Sequence, residues 1–516
     1  MRGVRAKGGA ARRARISSPA ILASVGVAGA CLFVLEVVGA RMLTTYYGNT
    51  IYLFSGVTSS ILAAMALGYW LGGRWARKSA SPGRFYALVT AGGLSVPALY
   101  VAASFFLPAW GYRLSPAVGP LVGATVFLAP SSALIAALSP VAIQALSTSR
   151  GAATGAVAAR VFFWSTAGNI IGCLAAAFLL IPFWAISRIL PGIGLVLTSV
   201  GVLGLCRDPN TAVGGLLALL LAAAAAGLKR DYYPLPPNTL YSRDGPFSRI
   251  TISDDRDDRP LLRKLQAGRD FASYKLMPPD RMRYLLQHPV YGFINFPYLK
   301  DIETLLCRSR NFHPRKILVV GGGAYVVPNR LLRAFPDARV DIAEVDPLLP
   351  DLAARYFDFA PSKRVRNFTE DGRSRLRNGK DRYDLVFVDA GEESGYPPQL
   401  ATKEFYRLVR ARLRSGGMLI VNSIGIIPSQ GPSLTSSLIK TLRAVFPESR
   451  YYALGGPAEK GLQNIELAAF VDSSVPTFGQ GALARMEVHL GRHDLDSSPL
   501  LTDSYSPVEY LMSRAR

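Results

Sequence analysis

Between Pro19 and Leu228 the chain is a succession of apolar runs, and no other feature narrows its possible folds as much. The runs cover about 19–40, 51–73, 85–107, 118–146, 156–183, 187–205 and 211–228. A helix needs roughly 20 apolar residues to cross a hydrocarbon core. Residues 19–228 are therefore expected to form a multi-pass α-helical membrane domain of about seven transmembrane helices, in contact with a lipid bilayer. The first run alone also fits a cleavable signal peptide, but its length and the similar runs behind it favour a first span. The 118–146 run contains Pro120, Pro130 and Pro140 and is expected to be kinked or broken, because proline removes a backbone donor and clashes with the preceding turn.

The formal charge of +23 raises the question of a nucleic-acid partner. Many of the cations flank apolar runs, as in a membrane protein facing an anionic leaflet, so no nucleic acid is expected. Residues 1–18 form a basic tail with Arg2, Arg5, Lys7, Arg12, Arg13 and Arg15 and no acid. Arg74, Arg77, Lys78 and Arg84 follow the second run, and Arg150 and Arg160 follow the fourth. The alternate loops offer Arg41, Arg113 and Arg188. Loops rich in Lys and Arg stay inside, which predicts a cytoplasmic N-terminus in the plasma (inner) membrane. An odd number of spans then puts the C-terminal half outside, where nucleotide-type donors are scarce; sequence leaves its side open. The four cysteines form no Cys-x-x-Cys pair, so neither a disulfide framework nor a metal site is indicated. Glu36 lies inside the first run, where a carboxylate is expensive and suggests function, the plainer reading being a pairing with Arg41 or Arg160. Asn169, in STAGNIIG, reads as polar glue between helices.

After Leu228 the composition changes. Residues 229–312 read as a Pro-rich linker and a small β subdomain, with FSRITISDD as a strand and DRMRYLLQHPVYGF as a helix. From His313 strands and helices alternate: KILVVGGG, ARVDIAEVD, RVRNFTEDG, YDLVFVDAG and MLIVNSI as strands, with VPNRLLRAF, DLAARYFDF and KEFYRLVRARLRSGG as helices, the last closed by its glycines. That alternation predicts an α/β Rossmann-like domain over 313–516, with a mainly parallel, doubly wound sheet.

Ligands of such sheets bind beyond the carboxyl ends of the strands, and the candidate residues sit there. Gly321, Gly322 and Gly323 end the first strand, where glycine allows a tight turn and close ligand approach. Glu344 ends the second strand about twenty residues on, the spacing of a ribose-binding carboxylate. Asp371 and Gly372 end the third; that Asp suits either an adenine amino group or a helix cap. Asp389 ends the fourth, with Glu392 three residues later. Two acids facing a cleft can hold an amine, deprotonate it or stabilise a cation.

At these residues the sequence resembles the spermidine/spermine synthase family, within the broad fold of S-adenosylmethionine-dependent methyltransferases. ILVVGGG, AEVDP, TEDGR, YDLVFVDA and LATKEFYRLVRARLRSGGMLIVN carry the resemblance, and LEVVGARML, ALGYWLGGRWA and STAGNIIG resemble membrane-fused members of the group. The resemblance implies that Gly321–Gly323, Glu344, Asp371 and Gly372 bind a decarboxylated S-adenosylmethionine or S-adenosylmethionine donor, that Asp389 and Glu392 are catalytic, and that no metal takes part. The family's glycine loop continues Asp-Gly-Gly, where this chain has Ala324, Tyr325 and Val326, adding bulk and losing an acid. LQAGRDFASYK is the nearest counterpart of the family's substrate-side segments before the glycine loop. The activity implied is transfer of an aminopropyl group to a small amine or polyamine. The alternatives are methyl transfer to a membrane-borne acceptor such as a lipid, and a polyamine or lipid transporter carrying a degenerate sensor domain. A homodimer is compatible with each.

Overall fold

The computed structural model describes residues 18–78, 81–115, 117–150, 153–206, 209–228, 230–245, 247–255, 262–268, 270–276, 312–390, 396–427, 432–458, 461–471 and 482–513. The chain divides into two compact units, residues 1–47 with 52–234, and residues 48–51 with 235–516.

The first unit is helical. Its helices are α1 (Ser18–Tyr47), α2 (Ile51–Lys78), α3 (Pro82–Trp110), α4 (Gly119–Phe127), α5 (Ala129–Ala136), α6 (Leu138–Arg150), α7 (Thr154–Ala175), α8 (Ile186–Leu205) and α9 (Pro209–Gly227). Among the described residues six helical stretches are long and apolar enough to cross a membrane, and Thr211–Gly227 is a shorter apolar helix. The proline-bearing run is broken, as its prolines require: Pro120 and Pro130 lie in the first turns of α4 and α5, and Pro140 opens α6. Proline is tolerated there because the first-turn N–H has no intrahelical partner.

Small residues bring the helices together. A β-carbon on Gly168 would lie 2.0 Å from the Gly26 carbonyl oxygen, and one on Gly172 would lie 2.2 Å from that of Ala30. Both numbers rise together, so α1 and α7 run in the same direction. Between them the Asn169 amide nitrogen reaches the carbonyl oxygens of Gly29 (3.1 Å) and Ser165 (3.0 Å), the interhelical role expected of it. Helices α3 and α8 are antiparallel, Gly93 meeting Thr198 and Gly204 meeting Tyr86. The last residues of the unit fold back on the end of α1: Tyr46 Oη donates to the Tyr232 carbonyl, and Tyr100 Oη on α3 donates to that of Arg230 at 3.0 Å. The chain thus leaves the bundle beside the C-terminal end of α1, the end away from Ser18.

The second unit opens with an antiparallel meander, β1 (Thr239–Asp244), β2 (Arg249–Asp255), β3 (Leu262–Ala267) and β4 (Asp270–Leu276). The DRMRYLLQHPVYGF helix lies outside the described residues. A seven-stranded sheet follows, in the order β10-β11-β9-β8-β5-β6-β7. Its strands are β5 (Lys316–Val320), β6 (Arg339–Ala343), β7 (Val365–Phe368), β8 (Tyr383–Val388), β9 (Leu413–Gly425), β10 (Ser449–Ala453) and β11 (Gln463–Phe470). Strands β5 to β9 are parallel, and β11 is antiparallel to both β9 and β10. Helices α10 (Val326–Ala334), α11 (Leu349–Tyr356), α12 (Gly372–Asn378), α13 (Lys403–Arg412) and α14 (Leu434–Arg443) connect or cover it. Strand residues alternate between two apolar layers. Ile317, Val319, Phe387 and Ile420 face one, and Leu318, Val320, Val388 and Val421 the other, as a sheet covered on both faces requires.

One local expectation is corrected. The RSGG glycines do not close α13; they lie inside the 13-residue strand β9, where pairing with β8 jumps from Tyr383–Leu413 to Leu385–Met418. Gly416, at φ +72°, supplies the left-handed residue of that irregularity.

Candidate active site

The glycine loop is built by its neighbours. Gly321 has φ +91°, and a β-carbon there would lie 2.2 Å from the Asp389 carbonyl oxygen. Gly321 N donates to Ala343 O (2.9 Å), and Asp389 N donates to Val320 O (2.8 Å). The ends of three adjacent parallel strands, β6, β5 and β8, are therefore tied at one point, and only glycine fits at position 321.

Glu344 faces that loop from the end of β6. It is 8% exposed. Its Oε2 accepts from Gly322 N (2.7 Å) and Gly323 N (3.4 Å), and its Oε1 accepts from Asp346 N (2.9 Å). Burial pushes this carboxyl above the ordinary range, the three backbone donors pull it back, and the charge of Asp346 adds a smaller upward push.

Tyr325 begins α10 in the left-handed region at φ 59°, ψ 24°. The bulk that the sequence adds here is turned into the core. The ring is fully buried, stacks on Phe359 with centroids 4.7 Å apart, and would meet a β-carbon on Gly322 at 2.6 Å. Its hydroxyl has no hydrogen-bond partner among the described residues. Burial, then the Glu344 charge, raises this phenol's pKa. A non-glycine residue at positive φ is uncommon, and the ring's packing into the core holds it there.

Strand β4 completes the loop, a contribution the sequence reading did not assign. Ser273 Oγ accepts from Ala324 N at 3.0 Å. Ser273 lies within LQAGRDFASYK, so the signal was the segment, with nothing to single out the serine.

Asp371 caps α12, its Oδ1 accepting from Ser374 N at 3.0 Å, while Oδ2 takes no hydrogen bond among the described residues. The cap and the proposed adenine contact can thus coexist on one carboxylate. Gly372 packs onto β5, where a β-carbon would lie 2.2 Å from Val320 Cγ1.

Asp389 follows β8 and is half-buried. Its Oδ1 accepts from Asn422 Nδ2 at 2.8 Å. Tyr396 is buried nearby; burial, and then the Asp389 charge, push its phenol up. Glu392 lies outside the described residues. The described geometry therefore gathers Gly321–Gly323, Glu344 and Asp389 at one rim, with Asp371 and Gly372 at the end of β7. Asn422 and Asn464 join Asp389 without having been singled out from sequence.

Residues 296–460 match the spermine/spermidine synthase domain. The polyamine aminopropyltransferase of Vibrio vulnificus is 33% identical over 218 residues, covering 42% of this chain and 67% of that protein. Polyamine aminopropyltransferase 2 of Streptomyces coelicolor is 28% identical over 466 residues, 84% of this chain and 78% of that one, so that similarity runs into the helical unit. Among solved structures, a probable spermidine synthase from Corynebacterium glutamicum aligns over 46% of this chain and 81% of its own, with 18% identity and a TM-score of 0.35. The chain belongs to the spermine/spermidine synthase family.

Proposed function

We propose that this chain is a membrane-bound transferase that moves an aminopropyl group from a decarboxylated S-adenosylmethionine-type donor to an amine acceptor. The observation that carries the reading is the meeting of glycine loop, ribose-side carboxylate and strand-end acid: Glu344 Oε2 stands 2.7 Å from Gly322 N, and Gly321 packs against the Asp389 carbonyl. The donor's adenosine would lie along Gly321–Gly323, its ribose at Glu344 and its base beside Asp371. Asp389 would hold the acceptor ammonium, and Glu392 would take a proton from it. The amine lone pair then attacks the donor carbon attached to sulfur. The new C–N bond forms as the C–S bond breaks, and methylthioadenosine leaves as a neutral thioether. The leaving group is already activated by its positive sulfur, so holding the two partners in line supplies most of the acceleration.

Membrane attachment is supported by six apolar helical stretches of spanning length. The test is direct. Full-length protein in detergent is incubated with a linear diamine and either donor, and the nucleoside products are separated. Methylthioadenosine from the decarboxylated donor is expected. S-adenosylhomocysteine from the intact donor, with nothing from the decarboxylated one, replaces the proposal with methyl transfer.

A further inference from the structure

Three neighbouring strands present a row of polar side chains in a mainly apolar layer. Asp389 continues β8, Asn422 sits beside it on β9, and Asn464 lies on β11. Asn422 is 6% exposed. Its Nδ2 donates to Asp389 Oδ1 at 2.8 Å, and its Oδ1 accepts from Asn464 Nδ2 at 3.0 Å. The same layer holds Met418, Ile420, Ala468 and Phe470 and the buried acid Glu466, 3% exposed and directly opposite Asn422 on β11; Tyr396 is the titratable group beside Asp389. Buried carboxamides in such a setting are retained only when their hydrogen bonds are made.

Chemistry fixes the direction of the chain of bonds. An ionised carboxylate oxygen only accepts, so the Asn422 atom beside Asp389 must be nitrogen. Its oxygen must then face a donor, and Asn464 Nδ2 is that donor. Remove Asn464 and the Asn422 amide is free to turn its oxygen toward Asp389, which puts two acceptors face to face.

We infer that Asn422, held by Asn464, is a positioning residue for Asp389: it anchors one carboxylate oxygen, so fixing the group beside the acceptor amine, and favours the ionised form. A hydrogen bond to the charged form lowers a carboxyl pKa. Asp389 thereby stays an anion across the range in which an acceptor amine is protonated, as an ammonium anchor must. This inference rests on the transferase reading.

The test uses the full-length protein and three variants: Asn422→Ala, Asn422→Asp and Asn464→Ala. Acceptor kcat/KM is followed against pH, and methylthioadenosine binding is followed by calorimetry. Asn422→Ala is expected to lower kcat/KM by about 10- to 100-fold, the range of one hydrogen bond to a charged group, and to move the acidic limb to higher pH. Asn422→Asp, nearly isosteric but negative, should move that limb further, and Asn464→Ala should move it less. Donor affinity should stay within about twofold of wild type, a margin well inside one hydrogen bond. An acidic limb that stays put in both Asn422 variants overturns the inference.

A second measurement needs no turnover. In a denaturation cycle with Asp389→Asn, the effect of Asn422→Ala should shrink. Additive effects overturn the bond itself. A coupled pair in a wild-type protein that makes no product removes the transferase reading, and the positioning role with it, while the bond stands.

Discussion

In Glu344→Gln the side chain keeps its shape and loses its charge, which separates what that charge does for folding from what it does for the donor. A carboxylate offers about four lone-pair positions. Three are engaged by backbone N–H groups, at 2.7 and 3.4 Å from the glycine loop and 2.9 Å from Asp346. One position remains for a ribose hydroxyl. A hydrogen bond to a charged acceptor contributes about 1.5–3 kcal/mol. At 1.4 kcal/mol per decade, its loss weakens donor binding by roughly 10- to 150-fold. Titration calorimetry with methylthioadenosine on the full-length protein measures this directly.

The same substitution changes the pH dependence of stability. Burial lifts the folded-state pKa of Glu344 above its unfolded value. A raised value means that the folded protein holds this proton more tightly than the unfolded chain does. The stability this contributes is complete below the unfolded value, about 4.3, and is lost as pH climbs through the raised folded value. Glutamine cannot titrate, so the variant should lack that decline. Denaturation midpoints of both proteins, measured from below the unfolded value up to neutrality, compare the slopes. A donor affinity within threefold of wild type, or parallel pH slopes in the two proteins, refutes the argument.

Other substitutions test the remaining parts of the rim. Gly321→Ala puts a β-carbon 2.2 Å from the Asp389 carbonyl oxygen at φ +91°; with left-handed strain of ~1–2 kcal/mol and overpacking of ~1–3 kcal/mol, chemical denaturation should show a loss of about 2–5 kcal/mol. Ser273→Ala leaves the buried Ala324 N–H without the acceptor now 3.0 Å away; the expected loss is about 1–3 kcal/mol, and an unchanged melting temperature contradicts a structural role for that hydroxyl. A periplasm-active and a cytoplasm-active reporter, each fused after Arg516, should give signal only from the former, while a tag on the basic tail should be protected from external protease in intact cells.

Much of this fold was legible because periodicity carries it. The runs KILVV, RVDIA and YDLVFV are short, mainly apolar strands closed by glycine or acid, and they became β5, β6 and β8. The rim acids were legible for a related reason, since strand ends are where a doubly wound sheet exposes its chain. What stayed hidden depends on pairing between distant strands. Asn422 reads as one polar residue at the end of MLIVN; only the β9–β11 register sets it beside Asn464 and Asp389. The glycines of RSGG look like a helix stop because glycine commonly ends helices, yet β8 holds them in a strand irregularity. Tyr325 looks like an obstruction in sequence, whereas the positive φ of its backbone turns the ring toward Phe359.

The parity of the helical unit bears most heavily on the chemistry. Sequence offered about seven apolar runs and a basic N-terminus, and the structure has six helical stretches of spanning length and a shorter seventh; if the seventh crosses too, the C-terminal half lies outside. Helix directions point the same way by a separate route. Arg230 and Tyr232 meet Tyr100 and Tyr46 toward the C-terminal ends of α3 and α1, so the chain departs from the end opposite the start of α1. Charge follows the same division: Arg74, Arg77, Lys78, Arg84, Arg150 and Arg160 lie toward the ends of α2, α3, α6 and α7 on the side where α1 starts, and Arg41, Arg113 and Arg188 in or beside helix ends on the other. A sulfonium donor carries permanent charge and does not cross a hydrocarbon core unaided. A transferase site on the far side therefore needs its donor brought through the bilayer.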